Sequence, residues 1–176
     1  MKRNNCKRGR IRRSSAFCAA VSGAILSLVA LPTIADHGGP HVEEIARGTF
    51  IDAVSLTVRN KIAGRATHVT HVNDASDQLI LHITLDPGAI GGWHGHGQAT
   101  GFLVNLGPGT LTNYVGDTCA PRQIYPGQAF VDPGHGTVHG VRNDSNEKVV
   151  LIAVFFGVKG APVLPDNAPD DCTAIP

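Results

Sequence analysis

Three histidines draw attention through their type and spacing. His94 and His96 sit two residues apart in Gly91-Gly92-Trp93-His94-Gly95-His96-Gly97-Gln98. His139 closes the stretch Asp132-Pro133-Gly134-His135-Gly136-Thr137-Val138-His139. Residues i and i+2 of a strand face the same way, so His94 and His96 can converge on one point. Imidazole nitrogens suit Zn, Mn, Cu, Ni and Fe alike; three of them mark a divalent transition-metal site without choosing the ion. Gln98, on the same parity, can add an amide oxygen. His135 reads as a further ligand, a mouth residue or part of a glycine-rich turn. His68, His71 and His82 read mainly as structural, and Trp93 is expected to face away from the ligand pair into packing.

Other chemistries find no support. No GxSxG elbow accompanies the serines, and no GxxxxGKS loop is present to cradle a phosphate. Nor does any carboxylate stand out beside the histidines as a general base.

The elements that must position the histidines are strand-like. Residues 53–58, 66–72 and 78–85 are short runs of Val, Ile, Leu and Thr, separated by Gly, Asn, Asp and Pro. Leu79, Leu81, Ile83 and Leu85 share one parity, a two-residue period. Residues 101–106 and 110–115 flank Gly107-Pro108-Gly109 and read as a hairpin. Residues 129–131 and the apolar run 149–158 complete the set. No sustained helical period occurs, and many short strands in ~120 residues predict an all-β sandwich or barrel.

The first 35 residues read differently. Lys2, Arg3, Lys7, Arg8, Arg10, Arg12 and Arg13 precede an apolar stretch from Ala16 to Leu31, and the small residue Ala35 follows Pro32-Thr33-Ile34. This is the pattern of a secretory signal peptide cut after Ala35. Ser22, Gly23, Ser27 and Pro32 interrupt the run, which falls short of the ~20 strongly apolar residues of a span. No stable membrane span is therefore expected after cleavage. Arg12-Arg13 leaves general and twin-arginine export both open. Seven of the 15 Lys and Arg and none of the 14 Asp and Glu lie in the signal, so the mature chain is mildly acidic. That balance, with few aromatics, argues against nucleic acid as a partner.

Cys119 and Cys172 remain in the mature part. In an oxidising compartment, periplasmic or extracellular, two cysteines read as one disulfide. The expected organisation is a signal peptide over 1–35, a flexible arm over 36–48, a barrel over 49–160 and an irregular tail over 161–176.

The order of these motifs resembles the cupin superfamily. Its first motif, G-x5-H-x-H-x3,4-E-x6-G, is similar to Gly88, His94, His96, Thr100 and Gly107 at matching spacing. Its second, G-x5-P-x-G-x2-H-x3-N, is similar to Gly127, Pro133, His139 and Asn143, with one extra residue before His139. The resemblance spans about residues 79–158. It implies a single small cupin β-barrel, a double-stranded β-helix of jelly-roll type, with His94, His96 and His139 as metal ligands. Thr100 stands where the family carries glutamate, and a neutral hydroxyl is a poor ligand for a divalent ion. Two function classes follow: a metal-dependent enzyme of dioxygenase or isomerase type acting on a small molecule, or a non-catalytic metal or small-ligand binding module of the cell envelope. The resemblance also leaves a homodimer open.

Overall fold

The computed structural model describes residues 38–61, 66–75, 77–116, 118–159, 164–165, 169 and 172. The expected signal peptide, residues 1–35, lies outside them. Among the described residues there is no helix. The strands are β1 (His41–Thr49), β2 (Leu56–Asn60), β3 (His68–Val72), β4 (Asp77–Leu85), β5 (Ile90–Gly95), β6 (Thr100–Asn105), β7 (Leu111–Val115), β8 (Pro121–Ile124), β9 (Ala129–Asp132), β10 (His139–Asn143), β11 (Val149–Phe156) and β12 (Leu164–Pro165).

Two five-stranded sheets, in the orders β1-β4-β11-β6-β9 and β12-β5-β10-β7-β8, carry the molecule, and β2 and β3 pair separately. Every pairing is antiparallel. Both sheets feed one core. Leu79, Leu81 and Leu85 of β4 and Leu151, Ala153 and Phe155 of β11 meet Leu111 of β7 and Ile124 of β8. β11 is apolar at every position, yet only alternate residues are buried, because the pleat turns Val150, Ile152, Val154 and Phe156 to the other face. Burying each large side chain of this set contributes ~1.5–3 kcal/mol.

Two expectations are corrected. Residues 101–106 and 110–115 do not form a hairpin: β6 pairs with β9 and β11, whereas β7 pairs with β8 and β10 in the other sheet. The Gly107-Pro108-Gly109 connection carries the chain between layers. Asn105, fully buried, holds it by donating to the carbonyls of Gly109 at 2.8 Å and Ile124 at 3.1 Å. Second, the arm expected over 36–48 is strand β1 from His41 onward, paired with β4 from His41↔Thr84 to Thr49↔Asp77. Its residues are all exposed, so no burial pattern marks it; the backbone ladder places it, with Thr49 donating to Asp77 at 2.8 Å.

Cys119 and Cys172 are joined, with Cα atoms 5.2 Å apart. The tail is not wholly irregular, since β12 pairs with β5 at Leu164↔Gly95 and Pro165↔His94. Asn143 stabilises the turn after β10, donating to the carbonyls of Leu85 at 2.9 Å and Glu147 at 2.8 Å.

Candidate metal centre

β5 and β10 are hydrogen-bonded neighbours in a register that sets His139 directly across from His94. Their rings meet edge to face with centroids 4.2 Å apart, and the two Nε2 atoms are 2.7 Å from each other. His96, one residue past the end of β5, brings its ring to 5.2 Å from both. It packs on Phe155 of β11 with ring centroids 4.5 Å apart. The three rings thus offer nitrogens within 4.8 Å of one another.

The fourth member was not anticipated. Asp132, at the end of β9 in the opposite sheet, is 1 % exposed, and its Oδ2 lies 2.8 Å from His96 Nε2 and 3.0 Å from His139 Nδ1. Oδ1 accepts from the Gly134 amide at 3.1 Å. These two imidazoles are what Oδ2 meets in the buried site. The view that no carboxylate stands beside the histidines is therefore corrected. The available signal was a carboxylate immediately before the proline of the second motif, in a chain whose first motif lacks its glutamate.

Thr100 does not substitute for that glutamate as a ligand. It is fully buried, and its hydroxyl donates to the Pro133 carbonyl at 3.0 Å, a bond that Thr70 repeats at 3.1 Å. The Asp132-Pro133 corner is thereby tied to β3 and β6. Gly134 follows at φ 60°, and a Cβ there would lie 1.6 Å from the Ala99 carbonyl oxygen, so only glycine fits the turn. Gln98 is corrected too: it is exposed, and its Oε1 lies 2.7 Å from His135 Nδ1, so the pair sits at the surface, outside the cluster. His71 lies against Thr57 and His82 against Glu43, neither in the cluster. Trp93 is half-buried and borders an interior cavity of about 510 Å³ that reaches the histidines.

The charge states follow from these contacts. Burial would raise the Asp132 pKa, but the neighbouring His139 and His96 outweigh it and hold the carboxyl well below its ordinary range. Burial, reinforced by the charge of His139, pushes His94 down to about 4. His94 Nδ1 lies 2.7 Å from the Gly92 carbonyl, which can only accept, so Nδ1 carries the hydrogen and Nε2 presents a lone pair. That lone pair faces His139 Nε2. Two ring nitrogens this close need a proton or a metal ion between them.

A pH dependence follows from His94. The unfolded chain takes up its proton near 6.5, whereas the folded chain holds off until about 4. Stability is therefore complete above the unfolded pKa and is lost as pH falls between the two values, by up to about 3 kcal/mol. Thermal unfolding of metal-free protein from about pH 7.5 to 4.5 is expected to show this decline, and His94→Gln to flatten it. An equal slope in the two proteins would refute the assignment.

Residues 81–155 match the family model described as Cupin domain. The match covers 75 of the chain's 176 residues, and the all-β fold with sheets sharing one core agrees with it. Among solved structures, KdgF from Halomonas sp. is similar at 24 % identity and TM-score 0.41, over 47 % of this chain and 70 % of that one. A putative sugar phosphate isomerase from Acidithiobacillus ferrooxidans is similar at 24 % identity and TM-score 0.39, over 45 % of this chain and 49 % of the isomerase. A Klebsiella pneumoniae protein with a double-stranded β-helix domain is similar at 18 % identity and TM-score 0.41, over 46 % and 67 % of the two chains. The alignment thus spans about half the length of the isomerase. A search of curated proteins returned no match.

Proposed function

We propose that this protein is an exported cupin that holds one divalent transition ion on His94, His96 and His139 and acts on, or carries, a small molecule inside the barrel. The observation that carries this reading is the convergence of three imidazoles, with the buried Asp132 Oδ2 2.8 Å from His96 and 3.0 Å from His139. A buried carboxylate oxygen is costly unless a cation or donor meets it. Three imidazole nitrogens form a donor set that fits Zn, Mn, Cu, Ni or Fe. A bound ion of this kind supplies Lewis acidity toward an oxygen-bearing substrate. Asp132 keeps the imidazoles oriented and offsets the ion's charge; Phe155 and the apolar walls exclude water. In an isomerase version the ion would act as such an acid, and in a dioxygenase version a redox-active ion such as Fe would serve oxygen chemistry. A non-catalytic carrier of the cell envelope uses the same site for affinity alone.

Elemental analysis of untagged protein is the direct test. Close to one ion per chain is expected, falling to background in His94→Ala/His139→Ala, with an intact mass that starts at Asp36. A wild-type chain that holds no ion and takes none up on titration would remove the metal reading. A mass that retains residues 1–35 after expression with an intact envelope would remove the export reading.

A further inference from the structure

Apart from the three histidines, Asp132 and Trp93, whose Nε1 is buried without a hydrogen-bond partner, every residue bordering the interior cavity is apolar or glycine. Among the described residues, no Lys, Arg, Ser, Thr, Asn or Gln lines it. Leu81 and Ile83 of β4, Leu103 of β6, Phe130 of β9 and Leu151 of β11 form the walls. Pro40, Val42 and Gly92 border it as well, and Val42 is 44 % exposed, which marks the open end. The three histidines and Asp132 touch one another and form one charged spot, and among the described residues the Trp93 indole N–H is the one other side-chain donor on the lining.

Close-packed interiors leave few voids larger than a water molecule. A space of about 510 Å³ is of ligand size, and its lining offers water almost nothing to bond. A sugar or sugar phosphate placed there would bury hydroxyl and phosphate oxygens against leucine and phenylalanine, with no partner for most of them. We infer that the cavity takes a small molecule with an apolar body and one anionic oxygen head, the head meeting the histidine cluster. The body of this inference rests on the cavity alone, whereas the head rests on the metal reading: a divalent ion outweighs the single charge of Asp132 and makes the spot attractive to an anion.

The test titrates metal-loaded and metal-free full-length mature protein with straight-chain 1-alkanols and alkanoates of four to eight carbons. Calorimetry and the fluorescence of Trp93, the chain's one tryptophan, report binding. Affinity is expected to rise about fourfold per methylene. Alkanoates should exceed alkanols in the metal-loaded protein, and the order should reverse without metal because Asp132 then repels the carboxylate. Ile83→Phe, which shrinks the cavity, should shorten the longest chain accepted at unchanged metal content. A methylene ladder in both forms without any alkanoate preference would keep the apolar ligand class and sink the metal-bound head. Absence of a ladder in either form overturns the inference, as does tighter binding of a hexose phosphate than of octanoate. Arg122, in the more polar cavity on the other side of Asp132 and His139, is the cation such a phosphate would then have found.

Discussion

Asparagine at position 132 is expected to leave the fold intact and to weaken divalent-ion binding about 10- to 100-fold, the range typical for groups that orient metal-bound histidines. Asparagine retains an oxygen for the Gly134 amide, so the turn before β10 keeps its hydrogen bond. What disappears is the buried negative charge facing His96 and His139. Without an ion that charge is met by His96 and His139, which hold the carboxyl ionised, so the metal-free variant should melt lower than metal-free wild type. With an ion bound the same charge is stabilising, and its loss should shrink the melting shift produced by saturating metal. Competition against a chelating dye measures the affinity, and paired melts measure the linkage. Unchanged affinity would mean that Asp132 serves only the turn and its pairing with the imidazoles, not the ion.

Removing the bridge between Cys119 and Cys172 is the second large effect. The two cysteines are 53 residues apart in sequence, and closing a loop of that size restricts the unfolded chain by ~4 kcal/mol at most. The double alanine variant should therefore melt roughly 10–20 °C lower. Alanine is preferred to serine because Cys172 is buried and a hydroxyl there would need a new partner. The bridge also anchors the tail that supplies β12 to the edge of β5, beside Gly95 and His94. Limited proteolysis should then cut the variant after β11 sooner than wild type. A melting point within a degree or two of wild type would show that the tail is held by its other contacts.

The chain's local chemistry carried much of this. A two-residue period at Leu79, Leu81, Ile83 and Leu85 reports a strand with one buried face, because the pleat alone creates that period. His94 and His96 converge through the same geometry, and glycine, proline and asparagine mark the turns through their backbone preferences. Strands without such a pattern went unread: β1 is exposed on every residue, and β8 and β12 are too short to show a period.

Relations across sheets were decided by the tertiary structure. Gly107-Pro108-Gly109 fits a hairpin by composition, yet both flanking strands found partners far away in sequence, which no local preference encodes. The same holds for the carboxylate. Thr100 marks where the family's glutamate is missing, and its neighbours along the chain supply no replacement. Asp132 arrives from the next strand of the sheet, since the β6–β9 register sets it opposite Gly101, and the turn that follows is held by Thr70 and Thr100. The sequence by itself therefore determined an all-β chain with three convergent histidines and one cysteine pair. Only the pairing of distant strands decided which acid faces those histidines, because a side chain's electrostatic partners are set by distance in space.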